Sequence, residues 1–179
     1  MGTYETGSHK NRNNMWKDDY DELDDIMGWK GDFEETFHLL GHRNWILVVD
    51  KAYPLQSANG IEYIDSGEDI DDVLTYVLGM IDNSTHVKPI IYTDKELEVL
   101  PQIGKAEAEM VDLLKGVIGD RKIQSIPHDD IFAKLDTASK LFNVVVIKTE
   151  STIAYSSVFI ELDCGYWTAD KEAKLRSLL

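Results

Sequence analysis

Apolar residues recur along this chain in two alternating rhythms. From Asp32 the spacing of Phe33, Phe37 and Leu40 predicts a helix, with Asp32 near its start and Gly41 suited to its end. Trp45 to Val49 is a continuous apolar run of strand length, and Asp50 follows it directly. Ala52-Tyr53-Pro54 through Asn59-Gly60 reads as loop, and Ile61 to Ile64 as a second strand. Ile70, Val73, Leu74, Val77 and Leu78 mark a helix over about 70–81. Val87 to Tyr92 is a third strand, and Pro89 inside it implies a strand end or an edge.

The stretch 95–117 is helical by period, with Pro101 expected to kink or divide it. Lys122 to Ile126 alternates as a short strand, and Pro127 can open a helix running to about Lys140. Two further strands, Val144 to Ile147 and Val158 to Leu162, flank a loop, and a last helix is expected over 169–179. Alternation of this kind points to a layered α/β domain with helices on both sheet faces. The 179 residues suffice for one core, so residues 15–179 are read as a single domain. Residues 1–14 are polar and read as a disordered leader. Met15 to Ile26 is dense in acid, with Trp16, Tyr20, Leu23 and Ile26 at near-helical spacing, and reads as a short amphipathic helix.

Charge narrows the partners. A formal net charge of -15 offers no general basic surface to nucleic acid or anionic lipid. No stretch reaches the ~18 apolar residues of a membrane span, and the start lacks an apolar signal core, so the reading is a cytoplasmic protein. Cys164, the single cysteine, cannot form an intrachain disulfide and has no local base that would make it a nucleophile. His38 and His42 approach helical metal-ligand spacing, but the glutamates Glu34 and Glu35 fall outside the pair. Gly28, Gly31 and Gly41 match neither phosphate-loop nor dinucleotide spacing, so no metal and no cofactor is expected.

Leu40-Gly41-His42 followed by Val48-Val49-Asp50 resembles the D-ribose pyranase / L-fucose mutarotase family, which carries a Gly-His pair at a helix end and then a hydrophobic strand ending in Asp. The likeness continues through Pro54, Val77-Leu78-Gly79, Pro127-His128-Asp129 and Val146-Ile147-Lys148-Thr149-Glu150. Tyr155-Ser156-Ser157 is similar to the family's Tyr-x-Asn sugar-binding triplet, with Ser157 standing where the family usually has Asn. The likeness spans roughly residues 32–163, with extra material at both ends. It implies a three-layer αβα sandwich around a mixed sheet of about six strands. It also implies a cofactor-independent isomerase acting on a free monosaccharide, assembled as a homo-oligomer, in this family commonly a decamer, with sites where subunits meet.

The chemistry fits these residue types. Opening a hemiacetal ring needs one proton to leave the anomeric hydroxyl while another reaches the ring oxygen. Histidine, with an unperturbed pKa of ~6.5, can serve both halves, and the resemblance gives His42 that role. Asp50 would accept hydrogen bonds from sugar hydroxyls or orient an imidazole, and is expected close to His42. His128 would hold a hydroxyl or share the proton transfer, and Tyr155 would donate through its phenol and pack on the sugar. Ser157 would complete the binding set with fewer hydrogen bonds than a carboxamide. Each residue also has an ordinary reading: His42 and His128 as helix-end residues, Asp50 as a turn cap. Two other functions remain open, a sugar-binding or regulatory module without turnover and a structural subunit of a sugar-handling assembly.

Overall fold

The computed structural model describes residues 28–179. The leader and the acidic helix expected over 15–26 lie outside the described residues. Strand β1, Trp45–Val49, is buried at all five positions. A run with no polar face must be covered on both sides, which makes it a central strand. Its neighbours confirm this: β5, Val144–Lys148, runs parallel on one side and β6, Val158–Cys164, antiparallel on the other. Strand β2, Ile61–Asp65, lies beyond β5, while β3, Val87–Asp94, and β4, Ile123–Ile126, lie beyond β6. The six strands take the order β2-β5-β1-β6-β3-β4, with β6 antiparallel to both neighbours. This is the mixed six-stranded sheet the resemblance implies.

Side chains that alternate across the sheet build two cores. On one face Ile46, Val48, Ile147 and Ile160 pack against helices α1, Trp29–Phe37, α2, Ile70–Asn83, and α3, Lys105–Ile118. On the other face Trp45, Leu47, Val146 and Phe159 meet Ile131 and Leu135 of α4, His128–Ala138. Three layers result. Helix α5, Ala169–Arg176, buries none of its side chains.

Several boundaries differ from the sequence expectation for physical reasons. Helix α1 starts at Trp29, earlier than Asp32, because the Trp29 ring packs edge-on against Tyr76 at 5.2 Å and its indole N–H donates to Glu68 at 2.9 Å. The helical stretch holding Pro101 divides as expected, into 3₁₀ turns at Lys95–Glu98 and Leu100–Gln102 followed by α3. Pro89 pairs with Leu162 in the part of β3 that β4 does not reach, since β4 begins pairing only at Ile91. Strand β3 also runs two residues beyond Tyr92, carried by the pairings Thr93 with Val158 and Asp94 with Ile126.

Candidate functional site

Register brings four strand ends to one edge of the sheet. Val48 of β1 pairs with Val158 of β6, Val158 with Thr93 of β3, and Asp94 with Ile126 of β4. Asp50, Ser157, Asp94 and His128 therefore emerge side by side, each just at or past a strand terminus. A cavity of about 250 Å³ opens there, lined by Asp50, Tyr53, Asp94, His128, Phe132 and Tyr155 among others. It is smaller than the ~300–1,000 Å³ of drug-sized sites, which suits one sugar ring better than a nucleotide. Four residues expected from sequence, Asp50, His128, Tyr155 and Ser157, line this one cavity.

The aromatic frame is continuous. Tyr53 stacks on Phe132 at 5.7 Å, Phe132 lies 4.7 Å from the His128 ring, and Tyr155 meets His128 edge-on at 5.4 Å. Tyr155 holds φ at 60°, a left-handed conformation that costs a bulky residue of the order of 1 kcal/mol or more. The turn that demands it directs the ring toward the cavity. Burial pushes the Tyr53 phenol far above its ordinary range, so it stays protonated, donating to Gln56 at 2.8 Å.

Ser157 is committed within the protein. Its hydroxyl donates to Asp50 Oδ1 at 3.2 Å and accepts the Asp50 backbone N–H at 3.1 Å. Burial raises the Asp50 carboxyl above the usual range, and the Ser157 hydrogen bond partly offsets this. Ser157 thus holds the Asp50 carboxylate at the wall of the cavity.

Asp94 also lines this cavity and is not among the residues expected from sequence. Its side chain is fully buried, Oδ1 lies 2.9 Å from His128 Nδ1, and Oδ2 has no hydrogen-bond partner among the described residues. Its signal is the one that marks Asp50, a carboxylate at the end of an apolar strand, but the strand is read there as stopping at Tyr92. Glu96 holds the other side of His128, accepting its backbone N–H at 3.2 Å. Desolvation pushes Asp94 up to about 6 against an ordinary 3.8, with His128 pulling down and Glu96 and Asp50 pushing up.

The raised value has a consequence for stability. Because the folded state binds the Asp94 proton more tightly than the unfolded chain does, this group's contribution falls as pH rises from about 4 to about 6, and is flat above. Asp94→Asn removes that slope. At pH 7 we expect the variant to be more stable than the parent by ~2 kcal/mol, two units of pKa less a lost hydrogen bond. The advantage should vanish near pH 4, as chemical denaturation at the two pH values would read.

His42 sits elsewhere. It follows α1 and precedes β1, so the strand itself separates it from Asp50, and the expectation of an adjacent His42 and Asp50 is not met within one chain. The five residues of β1, at ~3.3 Å each, separate the two ends by roughly 16 Å. At its own end His42 Nδ1 lies 3.2 Å from Asp163 Oδ1, and Lys88 Nζ lies 3.3 Å from Asp163 Oδ2. The imidazole is 54% exposed and opens on a second cavity, of about 620 Å³, walled by Asp163, Trp167 and residues of α5. Arg43, with φ at 75°, makes the turn into β1 and donates its N–H to Leu162 at 2.8 Å.

Among the described residues no helix is long and apolar enough to cross a membrane. Asp69, Asp71 and Asp72 are the described carboxylates close enough to share an ion, and they sit at the amino end of α2, where negative charge complements the helix dipole.

No protein-family model matches the chain, and no curated protein matches it by sequence. Solved structures do. The chain is similar to Bacillus subtilis RbsD complexed with D-ribose, with 16% sequence identity and a TM-score of 0.54 over 76% of this chain and 93% of that one. The fucose mutarotase from Streptococcus pneumoniae in complex with L-fucose is 19% identical with a TM-score of 0.49, over 76% of this chain and 93% of that one. FucU from Bifidobacterium longum is 18% identical with a TM-score of 0.49, over 73% of this chain and 92% of that one. At such identities the likeness is one of fold, and the match to RbsD carries it. The mixed sheet, its covering helices and that match agree with the motifs at Leu40-Gly41-His42 and Val48-Val49-Asp50: this chain has the fold of the D-ribose pyranase / L-fucose mutarotase family.

Proposed function

We propose that the protein is a mutarotase for a free monosaccharide, ribose-like or fucose-like, exchanging its anomers or its pyranose and furanose forms by general acid-base catalysis without a cofactor. One observation carries the reading: Asp50, His128 and Tyr155, the groups the resemblance assigns to sugar binding, line a single cavity of about 250 Å³. RbsD and the pneumococcal fucose mutarotase are each seen with a monosaccharide. In this reading Asp50 accepts sugar hydroxyls, Tyr155 donates and packs on the ring, and His128 exchanges a proton with the anomeric hydroxyl. His42 supplies the second proton from a neighbouring copy of the chain, because the length of β1 keeps it from the Asp50 cavity of its own. The site then lies at a subunit interface of a homo-oligomer, in the cytoplasm.

The test is saturation-transfer NMR over a panel of aldoses and ketoses at neutral pH. At least one sugar should exchange ring forms faster with protein present than without. The commitment of Ser157 to Asp50 favours one other reading, a sugar-binding module without turnover, since the hydroxyl offers the sugar little. Saturable binding with no acceleration for any sugar would select that module and reject the mutarotase.

A further inference from the structure

The cavity contains a histidine whose partner no sugar-binding role explains. His128 lies at the first position of α4, held by its backbone N–H on Glu96 and by its ring on Asp94. Strand β3 delivers Asp94 to this spot at its carboxyl end, where the residue is fully buried. A fully buried carboxylate is costly unless it is paired, so its placement demands a compensating role. One oxygen takes the imidazole at 2.9 Å and the other has no partner among the described residues.

We propose that Asp94 is the positioning residue of a two-member proton carrier, accepting Nδ1–H of His128 and so holding the imidazole in the tautomer whose Nε2 lone pair faces the sugar. The inference rests on the mutarotase reading above and assigns the base of that reaction. In ring opening the anomeric O–H gives its proton to Nε2 and its electron pair becomes the second bond of the new carbonyl. The ring C–O bond breaks, its pair stays on the ring oxygen, and that oxygen takes a proton from the second acid, assigned to His42. Ring closure on either face reverses each transfer, so no proton and no electron is gained or lost over the cycle. The positive charge that appears on His128 is met by the buried Asp94 carboxylate.

Four titratable groups surround Asp94: His128 on α4, Glu96 on the 3₁₀ turn, Asp50 beyond β1 and Tyr53 in the following loop, with Lys148 of β5 facing Asp50. Against that setting the carboxyl takes up a proton at about 6. A protonated Asp94 no longer accepts Nδ1–H as an anion, so the base is lost on the acid side. The rate of exchange should fall as pH drops through about 6.

Asp94→Asn keeps the side-chain volume and removes the charge. We expect exchange at pH 7 to fall on the order of 10²-fold, the scale of a general acid-base contribution, with sugar affinity changed less than about threefold. Nitrogen-15 spectra of the His128 ring should show Nδ1–H in the parent at neutral pH and a shift toward Nε2–H in the variant. A parent that accelerates exchange, with a variant unchanged in rate and tautomer, would overturn the role of Asp94 and leave the mutarotase standing. A parent that accelerates nothing would overturn the mutarotase reading itself. Because the tautomer is read on the parent without turnover, a parent ring carrying Nε2–H would refute the pairing even if the variant did not fold.

Discussion

His42→Gln should lower the rate of ring exchange by about a hundredfold while leaving sugar affinity and stability near those of the parent. The chemical loss is the larger effect because glutamine has no proton to exchange near neutral pH. Its amide can still donate to Asp163, which now lies 3.2 Å from Nδ1, so the local geometry keeps its anchor. The imidazole is 54% exposed and belongs to neither core, so little packing is lost. Affinity should hold because Asp50, His128 and Tyr155 line a different cavity. Saturation-transfer NMR reads the rate, calorimetry the affinity and thermal unfolding the stability. Unchanged exchange with the sugar still bound would remove His42 from the chemistry.

Mixing two dead variants should restore activity. His42→Gln and His128→Gln each break one half of the proposed site, and the halves sit at opposite ends of β1. If one catalytic centre takes His42 from one copy and His128 from the next, random reassociation leaves about a quarter of centres with both histidines intact. The co-refolded mixture should then run at about a quarter of the parent rate, far above either variant alone. A contact that joins one end of the strand to the opposite end in a neighbour is heterologous, and such contacts close into rings when the rotation permits. Solution mass on the same samples ties the recovery to assembly. A mixture no faster than the mean of its two components would mean that His42 and His128 do not serve one sugar.

Local signals carried much of the architecture. Trp45–Val49 is legible as a strand from its length and unbroken apolar run, and burial on both faces makes it a central one. Pro101 and Pro127 mark a broken helix and a helix start through properties of the residue itself, a missing N–H and a fixed φ. The periodicity of α2 survives because its inward residues, from Ile70 to Ile81, all meet one core. Asp50 and His128 stand out for the same kind of reason, a polar group directly past an apolar run or a proline.

What the chain alone determined, then, is the succession of strands and helices and the chemical types at their ends, because propensity and periodicity act over a few neighbouring residues. Tertiary structure decided which ends meet. The antiparallel course of β6 puts Ser157 against Asp50, and the pairings of β3 extend that strand to Asp94 and bring it to His128. It also sent His42 to the far end of β1, away from the carboxylate eight positions later. Strand order and direction are settled by side chains distant in sequence competing for the same buried faces, and no local pattern records the outcome of that competition.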